Sequence, residues 1–151
     1  KKKEQRLLDL DKLEKYDIAK SDYKLLKHGA DVKDATGKKI KNNLVTIKGK
    51  TPRSYAFCSD TMYHLPLVKA IKNVDVLYHE ATFLHEDLQR AKETTHSTAL
   101  QAAQIAKKAN AKKLLLGHFS SRYIDLSVLE NEAKTVFSNV ELSIEGEVFR
   151  V

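Results

Sequence analysis

The sequence has 151 residues, of which 42% are apolar and 31% charged, with 27 Lys and Arg against 20 Asp and Glu. This length suits one ordinary domain, and the composition excludes a disordered or fibrous chain. Apolar runs stay far short of the roughly 20 residues that cross a bilayer, and no secretory signal pattern follows the basic start. We therefore predict a cytoplasmic protein with no membrane partner.

The excess of positive charge lies in the first third of the sequence. Residues 1–50 hold 15 Lys and Arg against 8 Asp and Glu, whereas residues 51–151 hold 12 of each. We divide the chain accordingly into a basic segment, residues 1–50, and a second part, residues 51–151. The basic segment is interpreted as a solvated surface, with a surface that faces RNA or another anion as the alternative.

Within the basic segment, residues 1–16 are predicted to form a polar helix with an imperfect stripe of leucines. The stretch from Asp34 to Lys39 is typical of a turn between two short extended pieces. No Met stands at residue 1, which favours a sequence taken from within a longer protein.

After Pro52 the sequence alternates between strand and helix patterns, which favours parallel strands joined by covering helices. Predicted strands cover residues 54–59, 74–78 and 113–117, and predicted helices begin near residues 65 and 97 and after residue 123. The helix from Ser97 to Asn110 carries a face of alanines that can approach a sheet closely. Cys58, inside the first strand, is interpreted as a buried small hydrophobe.

Two features are predicted near the C-terminus. Ser127 and Glu130 have the spacing of a capping box at the start of the last helix. Residues 140–144 and 147–151 flank Glu145 and Gly146 as an antiparallel hairpin would.

Three predicted strands lead into residues that can bind a metal or transfer a proton, namely Asp60, Glu80 and His118. In sheets wound with alternating helices, ligands bind beyond the carboxyl ends of the strands, so the three residues can share one site. Each has an ordinary interpretation as well, since Asp60 could cap a turn or helix and His118 could be a structural residue.

His96 directly precedes a predicted helix, where free amides and the helix dipole favour a phosphate nearby. Protonated beside Glu80, it could donate a proton to a leaving oxygen; the alternative is an ordinary residue that flanks the helix. Asp and His also suit zinc, but no His-x-His-x-Asp-His run occurs in this sequence. Four further histidines are interpreted as structural: His28, His64, His79 and His85.

Four motifs follow one another in the second part of the sequence. They are Tyr-Ala-Phe-Cys-Ser-Asp-Thr (55–61), His-Glu-Ala-Thr-Phe (79–83), His-Ser-Thr-Ala (96–99) and Gly-His-Phe-Ser-Ser-Arg-Tyr (117–123). In this order they closely resemble the C-terminal half of ribonuclease Z, a family of metallo-β-lactamase-fold endonucleases that remove the 3′ trailer from precursor tRNA. The resemblance implies an α/β fold, one half of an αββα sandwich with a mixed sheet and covering helices.

The resemblance also implies the chemistry of four residues. Asp60 matches the carboxylate that bridges two zinc ions, and His118 matches the last zinc-ligating histidine. Glu80 and His96 match a pair in which Glu80 holds His96, so that His96 protonates the departing 3′ oxygen after attack by zinc-bound hydroxide on the phosphodiester.

Three residues are implied to bind the substrate, namely Arg122, Ser97 and Thr98. Arg122 matches an arginine near substrate phosphates, and a solvent-facing loop arginine is the alternative. The family's His-x-His-x-Asp-His motif, a further zinc-ligating histidine and the basic arm that grips tRNA do not occur in this sequence. We therefore predict that these 151 residues alone neither hold two zinc ions nor cut RNA.

One face of such a half sandwich is expected to be apolar and exposed, which favours a homodimer. Two other functions remain open. A non-catalytic RNA-binding module would use the basic segment and bind in a salt-dependent manner. Another metallo-β-lactamase-fold phosphodiesterase would act on a smaller substrate.

Overall fold

A computed structural model describes residues 5–151, so the predicted helical start over residues 1–4 lies outside the described residues. The described residues form two compact units, 5–52 and 53–151. This division lies two residues beyond the predicted boundary at residue 50. The separate roles assigned to the two parts of the sequence stay a prediction.

The first unit consists of short elements. They are β1 (Leu7–Leu8), α1 (Leu10–Lys15), α2 (Tyr23–Lys27), β2 (Val32–Lys33), β3 (Lys39–Ile40), α3 (Asn42–Val45) and β4 (Thr46–Ile47). β1 pairs with β4 and β2 with β3, both antiparallel. The unit has its own small core of buried side chains: Leu13, Ile18, Leu26, Val32, Ile40 and Val45.

The helix predicted over residues 1–16 is wrong at residues 7–8, which pair with β4 as a strand. The helix begins only at Leu10, where the side chain of Asp9 accepts a hydrogen bond from the amide of Lys12. The predicted turn between β2 and β3 is confirmed. Its Asp34 carboxylate accepts hydrogen bonds from the amides of Thr36 and Lys38, a side-chain substitute for a backbone turn.

The second unit is built on a four-stranded sheet with helices. The strands β5 (Tyr55–Cys58), β6 (Val76–Glu80), β7 (Lys113–Gly117) and β8 (Val140–Leu142) lie in this order, and every neighbouring pair is parallel. The helices are α4 (Leu67–Ala70), α5 (Leu88–Glu93), α6 (Ala99–Lys108) and α7 (Ser127–Lys134). The predicted α/β fold is confirmed. Within the described residues, no helix is both long and apolar enough to cross a membrane.

Helix α6 packs against the sheet through its alanines, as predicted. Ala99, Ala102, Ala103 and Ala106, together with Ala109 after the helix end, are fully buried. They share a core with Leu77, Leu114 and Leu116 of the central strands. Cys58 belongs to the same core, and burial raises the pKa of its thiol, which fits a small hydrophobe and not a nucleophile.

The C-terminal hairpin is wrong, and the sheet is parallel where a mixed sheet was expected. Val140 pairs with Leu114 in the parallel sense, and residues 147–151 form no strand. The physical reason is the connection, because α7 carries the chain back across the sheet before β8 begins, and such a crossover joins parallel strands.

The capping box is also wrong at the predicted position. The Ser127 amide donates a hydrogen bond to Asp125 Oδ1, and the N-cap residue of α7, Leu126, makes no side-chain cap hydrogen bond. The reciprocal box instead opens α6, where Thr98 Oγ1 accepts from the Gln101 amide and the Gln101 side chain accepts from the Thr98 amide.

The face of the sheet opposite the helices is apolar and open. Tyr55 and Phe57 are 50% and 63% exposed, and the Phe57 ring stacks on that of Tyr78 at 4.5 Å between centroids. A trough of about 600 Å³ runs over this face and is lined as well by Phe149 and Val151 near the C-terminus.

Candidate active site

The carboxyl ends of β5, β6 and β7 meet at one edge of the sheet. The parallel register places Cys58 opposite His79, and Glu80 opposite Gly117. Asp60 and His118 follow within two residues of their strand ends. The structure thus brings Asp60, Glu80 and His118 to a common edge, as the strand pattern predicts.

Asp60 and His118 both occupy left-handed backbone conformations, with φ of 49° and 58°. Asp and His are among the residues that adopt this conformation most readily, and the resulting turns face the two side chains towards each other. Asp60 Oδ1 lies 3.2 Å from His118 Nε2. The Asp60 side chain is 71% exposed and that of His118 39%, so both remain accessible to a ligand.

Glu80 is fully buried, and its carboxylate is the centre of the site's hydrogen bonds. Oε1 accepts from the Thr61 amide at 2.6 Å, and Oε2 accepts from the Ser97 amide at 3.0 Å and from Thr82 Oγ1 at 2.7 Å. His96 Nδ1 lies 3.0 and 3.1 Å from the two oxygens. This carboxylate therefore fixes the loop after β5, the loop after β6 and His96 together.

His96 reaches Glu80 because of the turn that ends α5. The His96 amide donates to Ala91 O and the Thr95 amide to Lys92 O, which is the Schellman arrangement of a helix C-terminus. Thr95 fills its left-handed position with φ of 60°, where glycine is the usual residue and a β-branched side chain is strained. The segment after His96 then pairs with the loop after β6 at Phe83.

The donor atoms at this edge fit part of a zinc site. Donor atoms of Asp60, His96 and His118 lie within 4.8 Å of one another. Two ligands of one tetrahedral zinc ion lie about 3.3 Å apart, given bonds of about 2.0 to 2.1 Å, which matches the separation of Asp60 Oδ1 and His118 Nε2. Zinc takes three or four protein ligands, so Asp60 and His118 alone would not complete a site, and their role as ligands stays a prediction.

Ser97 and Thr98 are fully buried, and their hydroxyl groups already have partners. Ser97 Oγ donates to Thr61 O at 2.7 Å, and Thr98 Oγ1 caps α6. Ser97 thus holds the loop after β5, and Thr98 holds the first turn of α6. Their substrate-binding role stays a prediction.

Arg122 lies in the loop after β7, as predicted, and takes part in an ion pair. Its Nη1 is 3.1 Å from Asp87 Oδ2, and its guanidinium lies 5.0 Å from the ring centroid of Phe83. The hydrogen bond from the Tyr123 hydroxyl, at 2.6 Å, and the charge of Arg122 lower the pKa of Asp87. Asp87 and Phe83 therefore orient the arginine whose contact with substrate phosphates stays a prediction.

Sequence reasoning missed two residues that organise the site, Thr61 and Thr82. Thr82 Oγ1 contacts both Glu80 and His118, and the Thr61 amide binds Glu80. The sequence signal for Thr82 is its position two residues after Glu80, because residues two apart along an extended chain share a face. Thr82 thus lies on the same side as Glu80.

Among the described residues, none of the four other histidines belongs to the cluster of possible metal donors formed by Asp60, His96 and His118. His79 is fully buried, and burial lowers its pKa. His28 Nδ1 contacts Lys24 O, His85 Nδ1 lies 3.3 Å from Thr98 Oγ1, and His64 is exposed.

Comparison with known proteins finds ribonuclease Z from several bacteria among the relatives of this chain. Ribonuclease Z from Porphyromonas gingivalis is 50% identical over 122 residues, which cover 81% of this chain and 40% of the relative. Ribonuclease Z from Phocaeicola vulgatus is 46% identical over 135 residues, which cover 89% of this chain and 44% of the relative. Ribonuclease Z from Cytophaga hutchinsonii is 47% identical over 127 residues, which cover 83% of this chain and 41% of the relative. The chain spans about two fifths of the length of these relatives.

Among solved structures, the metallo-β-lactamase fold protein YhfI from Bacillus subtilis superposes with a TM-score of 0.58 at 33% identity. The match covers 62% of this chain and 38% of that protein. No family model matches the chain.

Proposed function

This chain is homologous to part of ribonuclease Z and matches part of a metallo-β-lactamase fold, and from that premise we propose that it supplies one wall of a zinc-dependent endoribonuclease site. The substrate is precursor tRNA, from which the whole enzyme removes the 3′ trailer by phosphodiester hydrolysis in the cytoplasm. The observation that carries the proposal is the meeting of Asp60, His118, His96 and Glu80 at one sheet edge.

The metal side of this wall consists of Asp60 and His118. Their donor atoms face each other, are accessible, and have the separation of two ligands of one ion. Zinc at this position would supply a Lewis acid that activates water and stabilises charge on the phosphate. Asp60, with two carboxylate oxygens, is suited to bridge two such ions.

The acid side consists of His96 and Glu80. Because Nδ1 of His96 faces Glu80, Nε2 is the ring nitrogen left to carry a proton to a leaving oxygen. The side chain of His96 is 22% exposed while that of Glu80 is fully buried, so substrate reaches the acid but not its partner. Arg122 is the proposed contact with substrate phosphates, and Ser97 and Thr98, which are fully buried, would act on substrate only by holding the backbone of the site.

A chimera tests the function directly. In the P. gingivalis ribonuclease Z, the 122 matching residues are replaced by the corresponding residues of this chain. We expect the chimera to release the 3′ trailer from precursor tRNA in the presence of zinc. The 151-residue chain alone should release none under the same conditions, since it holds only part of the ligand set.

Failure of a folded, zinc-loaded chimera to cut precursor tRNA would count against the proposal. Cleavage of bis(p-nitrophenyl) phosphate without cleavage of precursor tRNA would favour a small-molecule phosphodiesterase instead.

The charge of the first 50 residues favours a second candidate, a non-catalytic RNA-binding module. Such a module would retain tRNA on the isolated chain, with affinity that falls steeply as salt rises. Retention without cleavage by the chimera would favour this candidate over the endoribonuclease.

We also propose that the isolated chain forms a homodimer through the open face of its sheet. Exposed Phe57 and Tyr55 lie beside the apolar trough, and a second copy would remove them from water. Light scattering coupled to size exclusion should give twice the monomer mass. The substitution Phe57→Glu should convert the dimer to a monomer.

Ile124, which is fully exposed in a loop, provides the matched control. Ile124→Glu adds the same charge and should leave the dimer intact. A monomer at high concentration in the unsubstituted chain would refute this mode of assembly.

A further inference from the structure

Thr82 joins the two halves of the candidate active site. Its buried hydroxyl oxygen lies 2.7 Å from Glu80 Oε2, 3.0 Å from His118 Nδ1 and 3.0 Å from His118 O. We propose that Thr82 is a positioning residue that fixes the tautomer of His118 and links this histidine to the pair of Glu80 and His96. The proposal deepens the proposed function, on which its consequence for metal binding rests.

The direction of these hydrogen bonds follows from the number of protons. A threonine hydroxyl has one proton to donate, whereas its oxygen can also accept. The Glu80 carboxylate and the His118 carbonyl both act only as acceptors, so the hydroxyl proton goes to one of them. The bond to Glu80 is the shorter one and is charge-assisted, which makes it the stronger. Thr82 Oγ1 is therefore left to accept a proton from His118 Nδ1.

This arrangement determines which nitrogen of His118 can bind a metal. A neutral imidazole with its proton on Nδ1 keeps a lone pair on Nε2. That lone pair faces Asp60 Oδ1 at 3.2 Å, which is also an acceptor. Two acceptors at this distance attract each other only through a shared cation. Thr82 therefore prepares Nε2 as a ligand, as oxygen acceptors behind metal-binding histidines commonly do.

The same contacts couple the position of His118 to that of His96. Each histidine directs its Nδ1 atom towards a buried side chain, His118 towards Thr82 and His96 towards Glu80. The Thr82 to Glu80 hydrogen bond closes the connection. Loss of the hydroxyl should release His118 first, because Glu80 keeps its bonds from the amides of Thr61 and Ser97.

The tautomer of His118 is measured by long-range ¹H–¹⁵N NMR of the imidazole rings in the 151-residue chain. The measurement is made at about pH 8.5. We expect the proton on Nδ1 in the unsubstituted chain and in Thr82→Ser, which retains the hydroxyl. In Thr82→Val the proton should move to Nε2, where Asp60 accepts it.

The control is Thr135→Val, which removes a hydroxyl that bonds only to the Glu132 carbonyl at the end of α7. It should leave the His118 spectrum unchanged. A proton on Nε2 in the unsubstituted chain, or on Nδ1 in Thr82→Val, would overturn the proposal. If Thr82→Val does not fold, the spectra of the unsubstituted chain and of Thr82→Ser still decide it.

A second measurement follows the metal in the chimera. We expect Thr82→Val to weaken zinc binding by about 10- to 100-fold, the usual effect of losing a partner behind a metal ligand, and Thr82→Ser to restore it. Unchanged zinc affinity in Thr82→Val would overturn the link to metal binding. A chimera that fails to cleave RNA would count against the proposed function but would leave the tautomer result intact. Failure of the proposed function is therefore distinguishable from failure of the role proposed for Thr82.

Discussion

Replacement of His96 by Ala in the chimera should slow release of the 3′ trailer by roughly a hundredfold to ten-thousandfold, the range that general acid catalysis contributes. The reason is geometric, because Glu80 holds Nδ1 of His96 and leaves Nε2 to donate the proton. Zinc content should not change, since the proposed metal ligands of this wall are Asp60 and His118. Single-turnover cleavage rates and zinc content are measured on the same preparations.

His64, an exposed histidine among the four interpreted as structural, provides the control. His64→Ala should cleave at the rate of the unsubstituted chimera. Loss of zinc in His96→Ala would make His96 a ligand and contradict its role as the acid.

Replacement of Glu80 by Ala should lower the free energy of unfolding of the chain by about 2 to 6 kcal/mol, because two backbone amides lose the acceptor that this carboxylate provides. The carboxylate accepts hydrogen bonds from the Thr61 and Ser97 amides, and a buried amide left without a partner costs about 1 to 3 kcal/mol. Urea unfolding followed by circular dichroism measures the change.

Glu80→Gln retains the shape of the side chain but presents an NH₂ group to donors. Its free energy of unfolding should therefore fall by less than that of Glu80→Ala, but still measurably. The control is Glu86→Ala at an exposed position, where a change within about 0.5 kcal/mol is expected. Equal midpoints for Glu80→Ala and Glu86→Ala would show that the buried carboxylate does not hold the site together.

The sequence predicts the second unit well because periodicity there reports burial. The predicted strand over residues 113–117 matches β7 residue by residue, and the alanine face of α6 is buried as expected. The convergence of Asp60, Glu80 and His118 also follows from the pattern, since consecutive parallel strands present their carboxyl ends at one edge.

The errors come from contacts that a local pattern does not contain. Leu7 and Leu8 extend because β4 lies beside them, and Val140 joins β7 because α7 returns the chain across the sheet. The predicted capping box of Ser127 and Glu130 does not form, and Glu130 instead pairs with Lys134 on the surface. The glutamate of α7 that does bind backbone amides is Glu132, whose carboxylate accepts hydrogen bonds from the amides of His85 and Leu100.

The site shows the same limit. The pairing of Glu80 with His96 was implied by a resemblance, and its geometry depends on the strained turn at Thr95, which no periodicity predicts. Thr82 was overlooked because a threonine two residues beyond a glutamate is common. Only the fold brings its hydroxyl against His118 from another strand.

The most direct measurement of the central claim is the zinc content of the chimera by atomic emission, compared among Asp60→Asn, His118→Ala and His96→Ala. The division of this sheet edge into metal ligands and a proton donor predicts two zinc ions per molecule in the chimera and in His96→Ala. Asp60→Asn and His118→Ala should lose zinc. Full zinc content in both Asp60→Asn and His118→Ala would contradict the assignment of these residues as ligands.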